Sequence, residues 1–250
     1  MKSRALITGT SSGIGFSYAK YLRNEGWYLD LVSQNTKRLR ESEENLKYAN
    51  SSFHSIDLRK IESVKYIIEN FQTPDLIVAN AGIAVNGAIG RLDKKEKNDA
   101  YYLMCGGVID LIEGFVPKMI ENGGGRIVII SSIGAITAMP KSSIYSSIKS
   151  GIHAYGRSIS AELKNKNVSV TVSMPGYVKT AAHKRAGLDH LEKKVPRWMW
   201  INADQVVKET EKASKNGKTE IIPGRVYRIT KPFLKFESAI NIWRSITKRN

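Results

Sequence analysis

Acidic residues are scarce in this chain: 23 Asp and Glu stand against 39 Lys and Arg, a formal net charge of +16. Cysteine is almost absent. Cys105 stands alone, which excludes an internal disulfide framework and fits a reducing compartment. No window approaches ~18 unbroken apolar residues, so a membrane-spanning helix is not expected. No apolar segment of signal-peptide length precedes the first apolar run, Ala5-Leu6-Ile7, so a cytoplasmic location is expected. Internal repeats, low-complexity tracts and Pro/Ser-rich linkers are missing as well. The 250 residues therefore read as one domain spanning 1–250. His183 and His190 have no partners at metal-ligand spacing, so no metal site is expected.

The positive excess has two open readings. One is a plain solvated basic surface. The other is attraction to anions: a phosphorylated substrate, an acidic carrier or an anionic membrane. Nucleic acid is not indicated. The basic residues are spread along the chain, as in Lys37-Arg38, Lys94-Lys95, Lys184-Arg185 and Lys193-Lys194, and form no aromatic-interleaved stripe.

What is present is an alternation of short apolar runs with amphipathic stretches. Ala5 to Ile7, Tyr28 to Val32, Phe53 to Ile56, Asp75 to Ala79, Arg126 to Ile130 and Val168 to Ser173 read as strands, with Glu220 to Ile222 as a seventh. Helices are expected over 14–22, 37–48, 61–71, about 94–120 with Pro117 near its end, and about 144–165. Strands alternating with helices imply a parallel sheet covered on both faces.

Three local patterns carry chemistry. Thr8-Gly9-Thr10-Ser11-Ser12-Gly13-Ile14-Gly15 joins the first strand to the first helix. A pyrophosphate rests at such a junction, on backbone N–H groups that glycine lets come close. The spacing is Gly-x-x-x-Gly-x-Gly, not the Gly-x-Gly-x-x-Gly of the dinucleotide fingerprint. Ser132 ends the fifth apolar run. Tyr145 and Lys149 follow, four apart, so a helix places them on one face. Reducing a carbonyl requires a proton at oxygen, and a nearby ammonium favours the phenolate that such a tyrosine must become. A Tyr-x-x-x-Lys pair alone is ordinarily a surface pair. Its setting after a glycine loop and a strand-end serine argues otherwise. Ser131, next to Ser132, is expected to point to the opposite side.

With Asp57 after the third strand, Asn80-Ala81-Gly82 after the fourth, and Pro175-Gly176 with Thr180, these patterns resemble the short-chain dehydrogenase/reductase family from Arg4 to about Ala182. The resemblance implies a Rossmann-like, doubly wound parallel α/β sheet of about seven strands. It implies an NAD(P)-dependent oxidoreductase acting on a small-molecule carbonyl or alcohol, and a homo-dimer or homo-tetramer. Tyr145 would be the acid/base, Lys149 would lower its pKa and hold the nicotinamide ribose, and Ser132 would orient the substrate oxygen. The phosphate loop would contribute Gly9, Ser11, Ser12, Gly13, Ile14 and Gly15. Ser33 and Gln34 would meet the adenosine ribose, and Asp57 and Leu58 the adenine. Asn80, Ala81 and Gly82 would pack beside the cofactor, while Pro175, Gly176, Val178 and Thr180 would meet its nicotinamide end.

The end of the second strand decides between NAD and NADP. A carboxylate there would bond the ribose 2′-OH, and an arginine would pair with a 2′-phosphate. This chain has Ser33-Gln34-Asn35, with no carboxylate; Asp30 falls inside the strand. Lys37 and Arg38 are near enough to help a phosphate. The reading favours NADP, although Gln34 replaces the usual arginine and Ser12 replaces the basic residue of many NADP-preferring relatives.

One departure from the family stands out. The asparagine that supports the family's proton relay is replaced by Met104. This leaves an alternative to the enzyme: a catalytically weak dinucleotide-binding scaffold or sensor. Residues about 181–203, including His183, Leu188, Leu191, Val195, Trp198, Met199 and Trp200, are expected to form a substrate lid. The tail, about 225–250, carries Phe233, Phe236, Ile240 and Trp243 as one apolar helical stripe among basic residues. Such a helix can lie on an anionic membrane, giving peripheral contact, or cover a core edge or a subunit interface.

Overall fold

The computed structural model describes residues 3–38, 41, 50–83, 85, 87–137, 139, 141–180, 195–232 and 241. The apolar runs become strands β1 (Arg4–Thr8), β2 (Tyr28–Ser33), β3 (Ser51–Ser55), β4 (Leu76–Ala79), β5 (Gly125–Ile130) and β6 (Val168–Ser173). With β9 (Glu220–Ile221) they form a seven-stranded sheet in the order β3-β2-β1-β4-β5-β6-β9, all parallel. The expected doubly wound sheet of seven strands is the observed one.

The near-continuous apolar strands follow from burial on both faces. Alternate residues serve opposite layers. Leu6, Ile77, Ile127 and Ile129 join the core beneath helices α2 (Ile61–Asn70), α4 (Gly107–Glu121) and α5 (Ser143–Glu162). Ala5, Ile7, Val78 and Val128 join the other core, with Tyr18, Ala19 and Leu22 of α1 (Gly13–Asn24) and Val207 of α6 (Ala203–Lys215). Gly26, at φ +81°, ends α1 as the left-handed residue past its C-cap.

The expected long helix after residue 94 is interrupted. It comprises α3 (Lys94–Tyr101), a π-helical turn over Tyr102–Gly106, and α4. Asp93 caps its start, accepting from the N–H groups of Lys95 at 2.7 Å and Glu96 at 3.3 Å. The successive glycines 106 and 107, weak helix formers, lie where the ladder widens.

Four elements lie beyond the sequence expectations. β7 (Tyr177–Lys179) and β8 (Trp200–Asn202) form a small parallel sheet of their own. Helix α6 packs along α1. Helix α7 (Arg225–Thr230) opens the tail, and its Tyr227 is 1% exposed, so this part of the tail covers a core edge. The expected helix over 37–48 falls largely outside the described residues. His183, Leu188 and Leu191 of the lid and Phe233, Phe236, Ile240 and Trp243 of the tail also lie outside them. Among the described residues no helix is long and apolar enough to cross a membrane.

Helix α6 is bound to the sheet through a buried charge. Glu211 has no exposed surface, pairs with Arg126 of β5 at 3.1 and 3.2 Å, and accepts from Tyr18 Oη at 2.9 Å. Removing one partner of a buried pair leaves the other uncompensated. Glu211→Gln is therefore expected to cost about 3 kcal/mol of stability, read from urea unfolding. A loss below about 1 kcal/mol, the value of an exposed pair, would show that water reaches the site.

Candidate active site

The strand order reverses at β1, with β2 and β3 on one side and β4 onward on the other, which opens a crevice at the carboxyl ends of β1 and β4. Thr8 ends β1, and its hydroxyl accepts from the N–H groups of Asn80 and Ala81, both at 2.9 Å. Asn80 Nδ2 donates to the carbonyls of Thr8 at 2.9 Å and Gly9 at 3.2 Å. The loops after β1 and β4 are thereby stapled together. Glycine permits the approach: a Cβ on Gly9 would fall 2.8 Å from Ala81 Cα, and one on Gly15 would fall 2.3 Å from the Gly9 carbonyl oxygen. Helix α1 starts beyond this loop with no acidic residue in its first turn, so its positive end is left to an anion.

This loop forms one wall of a cavity of about 610 Å³, lined by Gly9, Ser11, Ser12, Gly13 and Ile14. Ser33 and Gln34 line it past β2, Asp57 and Leu58 past β3, Asn80, Ala81 and Gly82 past β4, and Val178 and Thr180 from the β7 side. Gly15 lies under the loop and does not line the cavity. Thr180 sits against the loop, since a Cβ on Gly13 would come within 3.2 Å of its Cγ2. Arg38 also lines the cavity, as do Asn35, Ile56, Ile83 and Leu103, which the sequence reading did not assign to the site. Asn35 Oδ1 accepts from the Arg38 N–H at 2.9 Å and so holds that turn beside the cavity. Asp30 is inside β2, 5% exposed, with Arg4 at 2.6 Å and His54 at 3.3 Å, far from any ribose role.

The Asp57 carboxylate is already engaged. Arg59 Nε donates to Oδ1 at 2.9 Å and Nη2 to Oδ2 at 2.7 Å, and Gln34 Nε2 donates to Oδ2 at 3.2 Å. The guanidinium holds this carboxyl below its ordinary pKa. Sequence reasoning missed Arg59. The available signal was a cation two residues past a strand-end carboxylate.

The second cluster stands at the carboxyl end of β5, two strands over from β1. The strand ends at Ile130, so Ser131 and Ser132 lie past it, and both bond helix α5. Ser131 Oγ donates to the Lys149 carbonyl at 2.9 Å and ties α5 to the strand. Ser132 Oγ accepts from Gly134 N–H at 3.1 Å and shares a side-chain hydrogen bond with Tyr145. Lys149 Nζ lies 5.8 Å from the Tyr145 ring centroid and donates to the Ile130 carbonyl at 2.9 Å. Lys149 is 6% exposed, and burial lowers its pKa to about 8. Burial pushes the Tyr145 phenol up, while the bond from Ser132 opposes that shift. The sequence reading has Lys149 lower the phenol's pKa; burial instead raises it.

Pro175 and Gly176 do not line the cavity. The Pro175 carbonyl accepts from Ile133 N–H at 3.0 Å, so the turn after β6 abuts the Ser132 turn. Met104, in the π-helical turn, is 2% exposed and packs with Val85, Ala100, Ile148 and Tyr145. Its sulfur faces Gly82, where a Cβ would be 3.2 Å away.

A family model described as short chain dehydrogenase matches residues 3–190. The chain is 29% identical over 183 residues to 3-oxoacyl-[acyl-carrier-protein] reductase FabG of Chlamydia trachomatis, covering 70% of this chain and 74% of that one. It is 31% identical over 189 residues to dehydrogenase/reductase SDR family member 7B of Xenopus laevis, and there the match spans 58% of the relative's length. The fold superposes with a TM-score of 0.82 on a short-chain dehydrogenase from Sphingobium yanoikuyae in complex with NADPH, at 22% identity and covering 97% of this chain and 94% of that one. The match to the family model runs from the first strand past Thr180, and the chain therefore belongs to the short-chain dehydrogenase family of oxidoreductases.

Proposed function

We propose that this chain interconverts a small-molecule carbonyl and its alcohol with NADP(H), using Tyr145 as the acid/base. The observation that carries the reading is the Ser132–Tyr145 hydrogen bond beside the buried Lys149 ammonium, one loop away from a dinucleotide-sized cavity. The glycine contacts that exclude any Cβ and the acid-free start of α1 fit a pyrophosphate. Gly9, Ser11, Ser12, Gly13 and Ile14 would hold it. Ser33, Gln34 and Arg38 would take the adenosine ribose, and Asp57 and Leu58 the adenine. Arg38 on the lining, with no carboxylate past β2, supports the 2′-phosphate of NADP. A bound nicotinamide supplies the hydride. Ser132 holds the substrate oxygen and Tyr145 gives that oxygen its proton, leaving a phenolate that Lys149 stabilises. With a pKa near 8, Lys149 can return a proton near neutrality. The charge of +16 supports an anionic substrate or carrier.

A second reading is a weakly catalytic scaffold, favoured by Met104 filling with apolar atoms the place where the family sets an amide. A screen of NADPH and NADH oxidation over ketone classes, beside Tyr145→Phe, separates the two. The expected result is turnover preferring NADPH, with Tyr145→Phe slower by about 10²–10⁴ and cofactor binding kept. Binding without turnover on any ketone would favour the scaffold.

Met104→Asn would bury an amide among Val85, Ala100 and Ile148. It is expected to lower stability by about 1–3 kcal/mol and leave the rate no higher. A rate gain would show that proton return limits the enzyme.

Lys149 also predicts a pH dependence. Its pKa is about 8 when folded against 10.5 ordinarily, so the unfolded chain binds the extra proton between those values. Stability from this group therefore rises with pH across that window, by about 3 kcal/mol in all. Lys149→Met should be more stable than the parent at pH 7, and the gap should close by about pH 10. A gap that does not change with pH would mean the lysine keeps its ordinary pKa.

A further inference from the structure

The β7 wall of the cavity is held by a residue from far along the chain. The Tyr227 hydroxyl donates to the Met199 carbonyl at 2.6 Å and accepts from Tyr177 N–H at 2.9 Å. One phenol thus links the residue before β8 to the first residue of β7. Both partners are buried, Met199 at 2% and Tyr177 at 6% exposure, so water cannot replace the bond cheaply. The ring of Tyr227 covers Gly176. A Cβ there would fall 2.0 Å from Cζ and 2.3 and 2.4 Å from the two Cε atoms. Ordinary carbon contacts need about 3.5 Å, so only glycine fits at 176 while Tyr227 stays in place.

Helix α7 is anchored independently of this contact. Glu209 Oε2 accepts from Gly224 N–H at 3.1 Å and pairs with the Arg228 guanidinium, which also donates to the Ile222 carbonyl at 3.2 Å. The phenol is thereby presented from a fixed base. Two residues past Tyr177's bonded N–H stands Lys179, and between them Val178 reaches the cavity; Thr180 follows against Gly13.

We propose that Tyr227 is a positioning residue for the cofactor, setting the Val178–Thr180 wall through its ring on Gly176 and its bond to Tyr177. This rests on reading the cavity as the dinucleotide site with β7 at its nicotinamide end. Packing alone would be served by phenylalanine. The hydroxyl adds the two backbone bonds, and those bear on the wall and not on the seven-stranded sheet.

Tyr227→Phe tests this with four ligands. NADPH and NADH span the cavity, whereas adenosine 2′,5′-bisphosphate and ADP stop at the Gly9–Ile14 loop and lack the nicotinamide riboside that would meet the β7 wall. The variant should bind the better dinucleotide roughly threefold to tenfold more weakly, the worth of such a bond, and bind the half-molecules as the parent does. Equal weakening of both kinds of ligand, or no weakening of either, would overturn the proposal. A parent protein that binds none of the four would overturn the cofactor reading and this inference with it. A second test uses shape. Gly176→Ala alone should weaken dinucleotide binding at least tenfold, because its methyl meets the ring; added to Tyr227→Leu it should bring no further loss. Additive losses would show that the ring does not set this wall.

Discussion

The site depends on how closely two backbone loops approach. Asn80 draws the turn after β4 onto the turn after β1, donating to two successive carbonyls, while the Thr8 hydroxyl accepts from two successive N–H groups in return. The result is a crossing so tight that a Cβ on Gly9 or Gly15 would overlap backbone or amide atoms. Everything nearby follows from that closeness. The start of α1 is brought to the floor of the crevice, and Thr180 can rest on Gly13. The loop wall from Gly9 to Gly13 is then backbone and small side chains, which suits a pyrophosphate met by N–H groups.

The second cluster is built on a different principle. Two adjacent serines just past the end of β5 bond the same helix at different points. Ser131 fastens helix α5 by bonding the Lys149 carbonyl, and Ser132 turns to Tyr145. Fastening the helix at Lys149 fixes where the ammonium and the phenol can be. The ammonium is then held in a desolvated place with the Ile130 carbonyl as its partner, which lowers its proton affinity. Folding would be easier with an apolar residue there. A buried cation kept at such a cost is typical of a working site.

Much of the sheet and the local motifs could be read from the sequence, because both are encoded at short range. Strand runs such as Ile127 to Ile130 are apolar and continuous, and Tyr145 and Lys149 are one helical turn apart. What escaped was encoded at long range or in misleading composition. Helix α6 is a polar stretch of interspersed lysines and carboxylates, yet its Glu211 is fully buried because Arg126 and Tyr18, distant in sequence, neutralise and bond it. The long helix reads as unbroken, since a π-helical turn leaves the apolar pattern nearly intact. Arg59 on Asp57 was open to notice. Tyr227 on Gly176 was not, since 51 positions separate a glycine from the ring that demands it.

These long-range contacts have one helix in common. Residues two apart on a helix point about 200° away from one another, so Glu209 and Glu211 of α6 face opposite ways. Glu211 reaches inward to Tyr18 on α1 and Arg126 on β5. Glu209 reaches outward to Gly224 and Arg228 and so fixes α7 and its Tyr227. The helix that follows the glycine loop and the tyrosine whose hydroxyl bonds Tyr177 at the start of β7 are therefore hung from the same element. The glycine-loop wall and the β7 wall of the cavity are thus both tied, through α1 and α7, to α6. Local patterns in the sequence do not reveal this shared support, because α6 carries none of the motifs and meets α1 and α7 only through contacts distant in sequence.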